Sequence, residues 1–246
     1  MPAAGPGSAW KRQDLAIGFV QDRRQLIPMF AEQEELTRIL ITRHGRDIRR
    51  FCDLGAGDGG LAALVMDAHP ESTCVLVDFS EPMFAAAEAR LGDRRDRWEL
   101  VNADLATSAW LDRLSRNDRF DAILSRLCIH HLPDERKREL YEEAFQLLAP
   151  GGLFLNWDHV AIGGLAEGFF DEYFMARMLQ AEQESEHPRS EEELRNLYMD
   201  SHEEDILLDP ETQCDWLRAI GFEQVEVYFK AIELAIFAGV KPEEVK

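Results

Sequence analysis

Two rhythms of apolar residues alternate along this chain. Short, nearly continuous apolar runs (RRFCDLG, TCVLVDF, WELVNADL, FDAILSRL and LFLNWDHV) read as buried strands, because a strand covered on both faces is apolar at successive positions. Between them, LAALVMDAH, SEPMFAAAEARL, TSAWLDRLSR and DERKRELYEEAFQLL space their apolar residues at helical intervals. Ser80 is expected to cap the second of these helices, with Pro82 in its first turn, and Asp134 the last. Pro150–Gly151–Gly152 predicts a turn into the fifth strand. Upstream, residues 14–44 read as two helices broken at Pro28, which cannot continue a helix. Downstream, residues 163–205 hold no strand pattern. Their helices carry Phe169, Phe170, Tyr173, Phe174 and Tyr198 and predict a cap over the open end of the sheet. Asp209 and Pro210 open one more helix, stopped by Gly221. EQVEVYFK and ELAIFAGVK, joined by a short connection, predict an antiparallel pair. Residues 1–246 therefore read as a single α/β domain: a doubly wound, mostly parallel seven-stranded sheet with a C-terminal antiparallel pair and a helical cap insertion.

The first strand runs into FCDLGAGDGG, where an apolar run ends in Asp53 and glycines follow at positions 55, 57 and 59. Asp78 ends the second strand. Strand, glycine turn, helix, strand and acid in that order form a nucleotide-binding layout. Glycines let backbone approach a ligand where a Cβ would clash, and Asp78 can accept both hydroxyl protons of a ribose. Gly55, Gly57 and Gly60 also satisfy the dinucleotide spacing G-x-G-x-x-G, so an NAD-type oxidoreductase is a rival reading. Asp53 and Asp58 count against it, since two carboxylates beside a diphosphate repel it. A ligand with a cationic amine fits better, and S-adenosylmethionine (SAM) carries an ammonium and a sulfonium.

Composition narrows the partners. Against 27 Lys and Arg stand 47 Asp and Glu, a net charge of −20. A phosphate backbone meets a repulsive average field, so no broad nucleic-acid binding is expected. No apolar run is long enough to span a bilayer, and MPAAGPGSAWKRQD lacks the apolar centre of a secretion signal. Cys52, Cys74, Cys128 and Cys214 are widely spaced, without C-x-x-C, as expected of reduced thiols in a cytoplasmic protein. His130 to Asp134, HHLPD, is poor metal-ligand spacing, and no metal is predicted.

Taken together, these motifs resemble the class I SAM-dependent methyltransferases over residues 14 to 240. The pieces occur in the family's order: DLGAGDG, Asp78, then Asn102-Ala103-Asp104-Leu105, the fourth strand, Pro150–Gly152 and the terminal pair. The resemblance implies a Rossmann-like fold and SAM as cofactor. It assigns Gly55, Ala56 and Gly57 to the methionine part of SAM, Asp78 to the ribose and Asp104 to the adenine amino group. Phe79, Met83 and Leu105 would pack on the adenine. A closer likeness to carboxy-SAM synthases, in RRQLIPMFAEQ and the late segment WLRAIGFEQVEVYFKAIELAIFAG, adds Arg24, Pro28 and Phe30 on the cofactor side. Trp216 stands where that branch carries an arginine for the extra carboxylate, so methyl transfer is preferred to carboxy-SAM synthesis. At the end of the fourth strand, Ser125 is small, as the family prefers beneath the methyl, whereas Arg126 is not. Arg126 would either hold a carboxylate by a two-point fork or pair with a core acid. Candidate bases are His131, after the fourth strand, and His159, ending the fifth, with His130 and Asp158 beside them. The acceptor is expected to be a small molecule, the protein a monomer or homodimer, and a non-catalytic SAM-binding module is the remaining alternative.

Overall fold

The computed structural model describes residues 26–115, 119–164, 168–183, 188–202 and 205–243. The expectations for residues 14–25, Arg24 among them, lie outside the described residues. Seven strands form where the apolar runs place them: β1 Arg50–Leu54, β2 Thr73–Asp78, β3 Trp98–Asn102, β4 Phe120–Arg126, β5 Leu148–His159, β6 Glu223–Ala231 and β7 Leu234–Val240. They make one sheet in the order β3-β2-β1-β4-β5-β7-β6. Strands β1 to β5 run parallel, and β7 enters antiparallel between β5 and β6. The strand order reverses between β1 and β4, and the carboxyl ends at such a reversal open into a crevice.

Alternation along each strand supplies both cores. Cys52, Leu54, Val75 and Val77 face one side, where α4 (Asp134–Leu147) and α7 (Pro210–Ile220) cover them with Leu140, Tyr141, Ala144 and Leu217. Phe51, Cys74 and Leu76 face the other, against α1 (Phe30–Arg43), α2 (Gly60–Ala68) and α3 (Glu81–Leu91) through Ile41, Leu61, Val65 and Leu91. Two helices, α5 (Phe169–Glu182) and α6 (Glu191–His202), follow β5 and pack on each other through Phe174 and Tyr198. They share a third apolar cluster with Ile27 and Leu234, so the cap is anchored to the segment before α1 and to the start of β7.

Local chemistry explains the boundaries. Asp209 caps α7 by accepting from the Thr212 amide at 2.9 Å, and Gly221 ends it at φ 116°. Ser80 occupies the cap position of α3 without a side-chain cap bond. Two expectations need correction. The cap of α4 is Pro133, and Asp134 is already helical, its carboxylate accepting from Lys137 Nζ at 2.7 Å. Residues 150–152 belong to β5, not to a turn before it. The Gly151 amide donates to Lys241 O and the Lys241 amide to Gly152 O, both at 2.9 Å, and this pairing draws the segment into the sheet. Among the described residues, no helix is long and apolar enough to cross a membrane.

Candidate active site

The carboxyl ends of β1 to β5 converge on one cleft. At the end of β1, Gly55, Gly57 and Gly59 all take left-handed backbone, with φ of 69°, 52° and 71°. Two of them are pinned by packing: a Cβ on Gly55 would lie 2.1 Å from Cys128 Sγ, and one on Gly59 2.8 Å from Leu91 Cδ1. Gly57 differs, since its nearest neighbour would be Met83 Sδ at 3.9 Å. The space in front of Gly57 belongs to the cleft.

Asp78 at the end of β2 is locked by that turn. Its Oδ2 accepts from the Gly57 amide and its Oδ1 from the Ser80 amide, both at 2.8 Å. A carboxylate has about four lone-pair sites, so Asp78, which lines the cleft, keeps capacity for a donor there. Burial pushes the Asp78 pKa up, and the amides of Ser80, Gly57 and Phe79 oppose the shift.

Asp53 is the anomaly. It is 1% exposed, and neither carboxylate oxygen has a hydrogen-bond partner. Burial pushes its pKa up to about 7. The Arg126 guanidinium opposes that shift, and so does the Ala62 amide, which faces Asp53 without a hydrogen bond of normal geometry. Asp58, read from sequence as a second acid beside the ligand, does line the cleft, but its carboxylate is committed to protein partners. Its Oδ2 accepts from Arg90 at 2.6 Å and its Oδ1 from the Gly60 amide at 3.2 Å.

The remaining cofactor candidates divide. Ala56, Phe79, Met83, Asp104, Leu105 and Arg126 line the cleft with the glycines. The Arg126 guanidinium lies 5.2 Å from the Trp157 ring centre and 5.5 Å from that of Phe30, with Glu34 Oε1 at 3.4 Å. Both sequence readings of Arg126 are therefore open to it at once: it has an acid partner and it faces the cleft. Ser125 and Phe30 do not line the cleft. The Ser125 hydroxyl donates to Leu54 O at 2.8 Å, a bond between neighbouring strands, and Phe30 packs on Trp157. Trp216 packs against the core beneath α7, so its identity does not bear on the cleft.

The far end of the cleft is a histidine cluster. His130 and His131 lie in a short 3₁₀ turn after β4, His159 ends β5, and Asp205 follows α6. His130 Nδ1 sits 2.6 Å from Asp158 Oδ1, and His159 Nε2 sits 3.2 Å from Glu233 Oε2. Burial alone would depress both imidazoles. Asp158 and Asp205 outweigh it and push His130 up to about 10, and Asp205 and Glu233 raise His159. His131 goes the other way, lowered first by burial and then by the charge on His130. Of the two bases read from sequence, His131 is thus the one that stays neutral and able to take a proton. Asp205 and the cleft-lining Phe170, Phe174 and Leu127 complete this end. Leu127 holds φ 52°, rare for a side-chain-bearing residue. Asp205 escaped the sequence reading because it lies in an acid-rich stretch that looks like solvated surface.

Residues 51–152 match the family model described as a methyltransferase domain. This segment carries a methyltransferase domain. An uncharacterized methyltransferase of Mycobacterium tuberculosis is 33% identical over 100 residues, 41% of this chain and 45% of that protein. Trans-aconitate 2-methyltransferase of Variovorax paradoxus is 33% identical over 121 residues, 49% of this chain and 41% of that protein. These matches span less than half the length of either relative. The fold extends further: an O-methyltransferase family protein from Burkholderia thailandensis superposes with a TM-score of 0.66 at 16% identity, over 99% of this chain and 64% of that one. The methyltransferase segment holds the turn, Asp78, Asp104 and His131, whereas His159, Asp205 and the cap lie beyond it.

Proposed function

We propose that this protein transfers a methyl group from SAM to a small-molecule acceptor seated beneath the α5–α6 cap. Asp53 carries the reading: a buried carboxylate without a hydrogen-bond partner, facing a cleft, calls for a cationic ligand. The ammonium of SAM supplies that charge. Arg126, beside Asp53, matches the carboxylate of the same amino-acid group, Asp78 accepts from the ribose hydroxyls, and Met83, Phe79 and Leu105 take the adenine, with Asp104 at its amino group. Gly57 leaves the path along which the methionine arm enters.

The sulfonium already activates the methyl group, so the protein's task is alignment and exclusion of water. An acceptor lone pair forms the new bond to the methyl carbon while the carbon–sulfur bond breaks and its electron pair returns to sulfur. The products are methylated acceptor and S-adenosylhomocysteine. Where the acceptor is a hydroxyl, neutral His131 takes its proton. The apolar lining from Phe170 and Phe174 favours an acceptor with an apolar or aromatic body. Calorimetry with SAM, S-adenosylhomocysteine and NAD tests the reading. The first two should bind and NAD should not; NAD binding tighter than SAM would reject it.

A further inference from the structure

The histidine cluster has a geometry that acid–base chemistry does not require. His130, His159 and Asp205 come from three separate segments, yet one ligand atom from each lies within 4.8 Å of the others. His130 Nε2 is 3.5 Å from Asp205 Oδ1, and His159 Nδ1 is 3.4 Å from Asp205 Oδ2. These separations exceed normal hydrogen bonds, which run to about 3.2 Å. They match the edge of a tetrahedron around zinc, about 3.4 Å for bonds of about 2.0–2.1 Å. Asp205 Oδ1 is buried and makes no hydrogen bond of normal geometry, with His131 Nδ1 also beside it at 3.0 Å.

The opposite nitrogen of each ring is also held. Asp158 takes His130 Nδ1 at 2.6 Å and is itself fixed by Asn156 Nδ2 at 3.2 Å and the His159 amide at 3.1 Å. Glu233 takes His159 Nε2 at 3.2 Å. A carboxylate behind each imidazole sets the tautomer and aims the free nitrogen forward, the arrangement that supports metal-bound histidines.

We propose that His130, His159 and Asp205 bind one divalent transition-metal ion of the zinc type, with a fourth position open to the cleft for an oxygen or sulfur donor of the acceptor. Two imidazoles and one carboxylate favour zinc, cobalt or iron over magnesium or calcium, which prefer all-oxygen sites. Spacing along the sequence hides the site, because its ligands are brought together by β4, β5 and the segment after α6. The site itself does not depend on the methyltransferase reading; its use for the acceptor does.

The test uses the full chain, stripped with a chelator and titrated with cobalt(II) alone. One equivalent should bind, with the intense visible absorption of a four-coordinate ion, and zinc(II) should displace it. Asp205→Asn and His159→Ala should abolish the signal. Glu233→Gln, which keeps all three ligands and is mild enough to preserve the fold, should weaken binding about 10- to 100-fold. Absence of stoichiometric cobalt or zinc binding, or unchanged affinity in folded Asp205→Asn and Glu233→Gln, overturns the proposal. SAM calorimetry on the metal-free protein separates the two readings: SAM binding without metal binding sinks only the ion, and metal binding without SAM binding sinks only the methyltransferase assignment.

Discussion

Replacing Asp53 with Asn should change cofactor affinity and stability in opposite directions. The substitution keeps the shape and removes the charge. In the ligand-free protein Asp53 is buried, lacks a hydrogen-bond partner, and has its pKa raised to about 7 from 3.8. A carboxyl whose folded pKa lies above its unfolded value binds more protons when folded. Stability is therefore lost as pH rises from about 4 to about 7, by up to about 4 kcal/mol from a shift of this size. The charge of Arg126 opposes this rise, and those of Asp78 and Asp58 add to it. Asp53→Asn should abolish this decline and raise the melting temperature of the free protein above pH 7. The same change removes the partner of the SAM ammonium and should weaken SAM by roughly 1.5–3 kcal/mol, about 10- to 150-fold in Kd. In the wild type, SAM affinity should fall below pH 7, and binding near pH 6 should release a proton, visible by calorimetry in two buffers of different ionisation enthalpy. SAM affinity within twofold of wild type in Asp53→Asn, with an unchanged stability profile, would refute the assignment of Asp53 to the ammonium.

Further outcomes follow from the same geometry. Asp78→Ala should weaken SAM by roughly 1.5–3 kcal/mol, measured by calorimetry, and should also loosen the turn whose Gly57 amide it holds. Gly57→Val should eliminate SAM binding in a folded protein, since it fills the open approach and strains a φ of 52°; circular dichroism separates that from unfolding. Gly55→Ala should lower the melting temperature by driving a methyl into Cys128, and Cys128→Gly in the same chain should restore part of the loss. Phe170→Ala should raise acceptor KM more than SAM Kd, whereas Tyr173→Ala, exposed and outside the cleft lining, should change neither.

What the sequence discloses about this site is what lies close together along the chain. Asp53, the glycines and Asp78 sit at the ends of adjacent strands with short connections, so pattern and chemistry coincide. The seven strands were legible for the same reason, down to the antiparallel pair joined by a short turn. Contacts across long separations were not. Asp58 looked like a ligand acid until folding set Arg90 against it. Ser125 looked like a cleft residue until the β1–β4 register placed its hydroxyl on Leu54 O. Trp216 was paired by sequence offset with a cofactor position, yet α7 turns it to the core. Asp205 carries no local signal, because its burial is created by histidines from two other strand ends.

The acidity of the cleft walls affects what happens after the methyl group has moved. Asp53, Asp78, Asp104 and Asp205 surround the ligand space. The incoming donor bears a sulfonium, and the spent donor is a neutral thioether. Each turnover would thus withdraw one positive charge from a cavity whose walls attract it, without any change in the protein. S-adenosylhomocysteine should therefore leave more readily than SAM, to the extent that Arg126 and His130 in the same lining do not offset the acids. The ammonium that Asp53 would hold stays on the spent donor, so only the lost sulfonium charge separates the two.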